Sequence, residues 1–94
     1  MLPDDQVVRQ RRIAAFERLV AALSEKKRTV FVLHELEGHS PAEIAKIVGA
    51  PVLTVRTRLF YARRELMAMI REEPVLAGLV ADGASELVPT EEST

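Results

Sequence analysis

Ninety-four residues, 48% of them apolar, with a mean hydropathy of +0.05, suit one small globular domain and argue against a two-domain enzyme. The absence of Cys excludes a disulfide framework, a thiolate zinc site and a cysteine nucleophile. The net charge of −1 is segregated: residues 9–71 hold all 13 bases against six acids, +7, and the flanks hold eight acids without a base, −8, a pattern that points to a polyanion partner for the middle.

Residues 1–8, with Pro3, Asp4 and Asp5, read as a leader or a linker remnant. They lack a basic n-region, and the longest apolar run, residues 75–81, is far short of the roughly 20 residues that cross a bilayer. A cytoplasmic protein with no membrane partner is expected. From Arg9, the apolar positions Ile13, Phe16, Leu19, Val20 and Leu23 recur at three- and four-residue steps, which predicts a first helix over 8–22 with one buried face. Ser24 is a candidate N-cap for a second helix that runs to Glu37. Its centre, Val30-Phe31-Val32-Leu33, is apolar on nearly every side, as the middle helix of a bundle requires, and Gly38 closes it.

The run Ser40-Pro41-Ala42-Glu43 is a start signal. Ser40 can cap, Pro41 sits where its missing N–H costs nothing, and Glu43 can return a bond to the Ser40 amide. The third helix, 41–48, is two turns long and stops at Gly49, whose missing side chain permits a left-handed backbone. A fourth helix follows Ala50-Pro51 and carries Val52, Val55, Leu59, Ala62, Leu66 and Met69 on one stripe to Arg71, with Pro74 beyond. The expected fold is all-α, a four-helix bundle containing a helix-turn-helix, with no sheet. The domain proper is 9–71. Residues 72–94, with six acids and no base, form an acidic tail in which a short helix over 75–80 is expected.

Short helix, glycine turn and long helix make a helix-turn-helix when a small residue, a glycine and an apolar anchor fall at the right spacing. Ala45, Gly49 and Val55 do so, with Leu59 packing beside them. With the Val55/Leu59/Ala62/Leu66 stripe inward, a 100° step per residue turns Leu53, Thr57, Phe60, Tyr61 and Arg64 outward, with Arg56 at the flank. This face suits a major groove. Arg56 can bond guanine O6 and N7, Thr57 a polar edge or a thymine methyl, and Tyr61 a base edge or a phosphate. Arg58, Arg63 and Arg64, with Lys46 on the supporting helix, are candidate phosphate contacts, as is Ser40 at the third helix N-terminus. Arg63 and Arg64 equally complement a helix C-terminus without any DNA. Phe60 has two readings, a core residue against the first helix, which is favoured, or a thymine-methyl contact.

The run LSEKKRTVFVLHELEGHSPAEIAKIVGAPVLTVRTRLFYARREL, residues 23–66, resembles region 4 of the bacterial sigma-70 family, in particular the extracytoplasmic-function sigma factors. The resemblance rests on the VFVL…ELEG block, EIA, the G-x-P-x-x-T-V-R turn and R-L-x-x-A-R-x-x-L. It implies the winged-helix-like sigma region 4 fold, binding of the minus-35 promoter element through the fourth helix, and contact with the β flap of RNA polymerase. It carries base reading and backbone contact onto Arg56, Thr57, Arg58, Phe60 and Tyr61, with Lys46 and Arg63 peripheral. An anti-sigma protein covering the domain is a further implied partner. Ser24 stands where the family commonly has Pro, Leu53 where it has Gly and Tyr61 where a basic residue is frequent, which bears on the promoter sequence more than on the role. The promoter-melting region of such factors has no counterpart here, so the chain reads as a fragment of a longer factor or a stand-alone relative.

Catalysis finds little support. His34 and His39 lie about 140° apart on a continuous helix and Gly38 intervenes, so neither a two-His metal pair nor HExxH exists. No Gly-rich phosphate loop is present, and Ser24, Ser40, Ser85 and Ser93 lack a nucleophile-elbow context. No cofactor, metal or small-molecule substrate is expected. Two rivals stand beside the sigma reading. One is a response-regulator-type helix-turn-helix output domain. The other is a protein-interaction module using Leu53, Phe60 and the VLAGLV segment. The acidic tail is expected to lower DNA affinity by competing for the fourth helix.

Overall fold

Four α-helices, α1 (Pro3–Ala22), α2 (Glu25–Phe31), α3 (Pro41–Val48) and α4 (Val52–Glu72), build the protein in a computed structural model that describes residues 3–77, with side chains from Asp5 onward. There is no strand among the described residues. Most of the expected acidic tail, and the second half of the helix expected over 75–80, lie outside them.

α1 begins at Pro3, five residues earlier than the periodicity predicts. Pro at the first turn followed by Asp4 and Asp5 matches the positive end of a helix dipole, so the composition read as a leader is a helix start. Only the second half of α1 meets the bundle. Ala15, Val20 and Leu23 are buried, and Phe16 and Leu19 pack beside them, whereas Ile13, placed on the buried face by its spacing, is 51% exposed. α1 runs antiparallel to α4. Arg18 Nη2 meets Glu73 Oε1 at 2.7 Å just past the C-terminal end of α4, while Lys27 of α2 reaches Glu65 further back along α4. The first half of α1 therefore passes beyond the C-terminal end of α4 and has nothing to bury against.

Ser24 caps α2, its Oγ accepting from the Lys27 amide at 3.4 Å. Arg28 Nη1 donates to the carbonyls of Ala21 and Leu23 at 3.0 and 3.1 Å, satisfying acceptors that the end of α1 leaves open. α2 does not continue as an α-helix to Glu37. It passes at Val32 into one π-helical turn, Val32–Leu36, with the Glu37 amide donating to the Val32 carbonyl at 3.0 Å. Gly38, at φ +79°, then reverses the chain. The His39 amide donates to the Leu33 carbonyl at 2.9 Å, and His34 Nδ1 lies 2.8 Å from the His39 carbonyl, which can only accept, so the His34 proton sits on Nδ1.

Two apolar clusters hold the helices. One joins Ala15, Val20, Leu23, Phe31, Ala62, Leu66, Ile70 and Leu76, with the Phe16 and Phe31 rings tilted at 6.3 Å. The other joins Val30, Ile44, Ala45, Val55 and Leu59. Each fully buried Val, Leu, Ile or Phe contributes about 1.5–3 kcal/mol. The predicted α4 stripe differs at its ends. Val52 is 36% exposed, while Met67 and Ile70, off the stripe, are buried, Ile70 in the cluster that holds Ala15 and Leu76.

Candidate nucleic-acid interface

The helix-turn-helix is α3, the turn Gly49-Ala50-Pro51 and α4. Ser40 Oγ accepts from the Glu43 amide at 3.1 Å and the Ser40 amide donates to Glu43 Oε1 at 2.8 Å, a complete capping box with Pro41 at the first turn. At the other end Gly49 takes φ +70°, and its amide donates to the Ala45 carbonyl at 2.9 Å. Ala45, Val55 and Leu59 are buried together with Val30 and Ile44. α2 thus lies behind the motif and fixes the angle at which α4 is presented.

On the outer side of α4, Arg56, Thr57, Tyr61 and Arg64 are exposed, and Arg58 is half-buried. Lys46 is exposed on α3. Arg56, Arg58, Arg64 and Lys46 have no ion-pair partner among the described residues. Leu53 lies one turn before Thr57 and is 75% exposed. Phe60 joins neither core cluster, against the favoured expectation that it packs on α1. It is half-buried on the α4 surface, with the Tyr61 ring edge-on at 5.3 Å and the Arg64 guanidinium 5.6 Å over its face. A ring holding a guanidinium in place reduces the entropy that Arg64 loses on meeting an anion. The i,i+4 spacing of Phe60 and Arg64 carries that signal in the sequence.

Two expected phosphate contacts are engaged elsewhere. Arg63 is turned to Glu35 in the π-helical turn, its Nε donating to Oε1 at 2.9 Å and Nη2 reaching the same oxygen. The α3 N-terminus already holds the Glu43 carboxylate. The bond from the Ser40 amide, aided by His39 nearby, keeps that carboxyl below its ordinary pKa. A phosphate beside Ser40 therefore meets an anion at the point where the helix dipole is already matched. Spacing reveals neither effect, since Glu35 lies 28 residues from Arg63. Among the described residues there is no cluster of acids and histidines that could hold a metal, and no helix long and apolar enough to cross a membrane.

The family model of sigma-70, region 4, matches residues 13–66 of the chain. The chain is 35% identical over 72 residues to the ECF RNA polymerase sigma factor SigW of Bacillus subtilis, a match that covers 77% of this chain and 38% of that protein. It is 35% identical over 74 residues to the RNA polymerase sigma-H factor of Pseudomonas aeruginosa, covering 74% of this chain and 38% of the relative. Against the ECF RNA polymerase sigma-E factor of Escherichia coli, identity is 45% over 49 residues, 52% of this chain and 26% of the relative. The chain spans less than two-fifths of the length of these curated relatives. No solved structure matches it.

Proposed function

Since the chain belongs to the sigma-70 region 4 family, matched across more than half its length, we propose that it binds promoter DNA at the minus-35 element by laying α4 in the major groove. One observation carries this reading. Arg56, Thr57, Tyr61 and Arg64 share one exposed face of a helix whose opposite face is anchored in the core, and the two arginines are not committed to carboxylates among the described residues. Arg56 and Thr57, in the first turns of α4, read base edges, and Tyr61 reads an edge or a phosphate. Arg58, Arg64 and Lys46 hold phosphates and set the register. Phe60 acts mainly by placing Arg64. Arg63 contributes to the fold before it contributes to DNA, and Ser40 chiefly caps α3.

The domain then directs transcription initiation by contacting RNA polymerase, at the β flap, while α4 holds the promoter, and an anti-sigma protein that covers α4 switches it off. It acts without chemistry of its own and in the cytoplasm. Similarity to the RNA polymerase sigma factors of three bacteria supports this reading.

The test is an amide chemical-shift titration of the labelled chain with a pool of duplex DNA at two salt concentrations. Shifts concentrated at residues 56–64 and weakened by salt support the groove-facing helix. Absence of shifts there in the folded protein overturns it. Exposed Leu53, Leu36 and Ile47, at 75%, 62% and 55%, favour a protein-docking surface as the second reading. Retained partner binding after charge reversal at Arg56, Arg58 and Arg64 would support that one. A symmetric footprint from a dimer would mark a response-regulator-type output domain.

A further inference from the structure

The first half of α1 is a helix without a partner. Residues 5–14 are all exposed, including Val7 at 44%, Val8 at 43% and Ile13 at 51%. Arg9, Arg11 and Arg12 have no ion pair among the described residues. Val7, Arg11, Ala14 and Arg18 succeed one another at steps of four, three and four, so they form one stripe along the helix. The last of them, Arg18, is already paired with Glu73 at the end of α4. Leu76 is buried in the same cluster as Ala15. The chain therefore leaves the described fold beside this stripe.

The segment beyond Ala77 is complementary to it. Residues 78–94 hold four acids, Asp82, Glu86, Glu91 and Glu92, and no base, with apolar Leu79 and Val80 near their start. The two basic surfaces differ in how near they lie to the point where this segment begins. Arg11 lies seven residues before Arg18, about 10 Å along α1, whereas Arg56 lies sixteen residues before Glu72, about 24 Å along α4. Asp82, the first acid past Ala77, extends at most about 17 Å, enough for Arg11, whereas Arg56 comes within reach only of the later acids.

We propose that the exposed stripe of α1 binds the chain's own residues 78–94, with acids of that segment on Arg11 and its neighbours. The contact prolongs the Arg18–Glu73 pair and leaves the α4 face open. It requires no DNA and stands apart from the reading of α4.

The absence of Cys makes the test direct. Ser85→Cys in the full chain carries one spin label, and loss of amide signal by paramagnetic broadening reports what lies near it. Expected is loss at residues 7–14, relieved by high salt and by the exposed double substitution Arg11→Glu with Arg12→Glu. An equal mixture of spin-labelled unenriched chain and unlabelled isotopically enriched chain should show none of this loss. Broadening centred on residues 56–64, broadening that persists in the mixture as contact between copies requires, or no broadening on α1 would each overturn the proposal.

Discussion

Arg56 and Arg63 stand seven residues apart on α4 and so share nearly one direction on the helix, yet their surroundings give them different work. Arg56 is exposed with no carboxylate partner among the described residues. Arg63 lies beside the π-helical turn after α2, and its side chain and that of Glu35 are 25% and 27% exposed. Replacing Arg56 by Ala should cost about 1–3 kcal/mol at the preferred duplex and flatten base preference at one position. Competition binding with single-base variants measures this, and an unchanged preference would remove Arg56 from the reading role. Arg63→Met should act on stability instead. A double-mutant cycle with Glu35→Gln should show a coupling of up to about 1 kcal/mol in chemical denaturation, with DNA affinity little changed. Zero coupling would mean that the pair adds nothing to stability. The outward direction of Arg56 follows from the period of the helix alone. The fate of Arg63 does not, because it depends on a partner that tertiary folding brings from another helix.

The elements readable in the sequence were those whose ends are decided by their own residues. α3 runs from Pro41 to Val48 as its capping signals and Gly49 predict, because every group that starts and stops it lies within about ten positions. Ser40→Ala should destabilise the fold by about 1 kcal/mol. The box also has a pH signature. The folded-state pKa of Glu43 is lowered by the Ser40 amide, so its contribution is present in full above the ordinary carboxylate range and is lost as pH falls through the lowered value. Glu43→Gln should flatten stability against pH across that acid window, measured by denaturant midpoints. A slope equal to that of the unaltered chain would deny the box its charge. The elements that depart from the spacing are those whose ends depend on neighbours. α2 gives way to a π-helical turn where it meets α3, and Ile13 is exposed because α4 ends before α1 does. Hydrophobic spacing marks which side of a helix prefers burial, but not whether a partner reaches that far.

For the molecule as a whole, the charge pattern is more informative than the total. Net −1 alone would speak against a DNA partner, whereas +7 within residues 9–71 favours one. The observed affinity should fall steeply with salt, and each lost phosphate contact should shorten the slope of log K against log salt by about 0.9. Arg58→Gln or Lys46→Gln should do so with base preference intact, read from titrations at several salt concentrations. Arg63→Gln should leave the slope unchanged. A slope insensitive to Arg58 and Lys46 alike would place the phosphate contacts elsewhere.

Val30 and Phe31 are adjacent on α2, and each is fully buried in a different cluster. α4 bridges the same two clusters, with Val55 and Leu59 in one and Ala62, Leu66 and Ile70 in the other. Two rods shared by two cores leave no hinge between them. Slow amide exchange should therefore be spread evenly over α2, α4 and the second half of α1, with one opening free energy for all three. A ligand at the α1 end acts on α4 by stabilising the folded state as a unit, and not by swinging α4 relative to the rest of the fold.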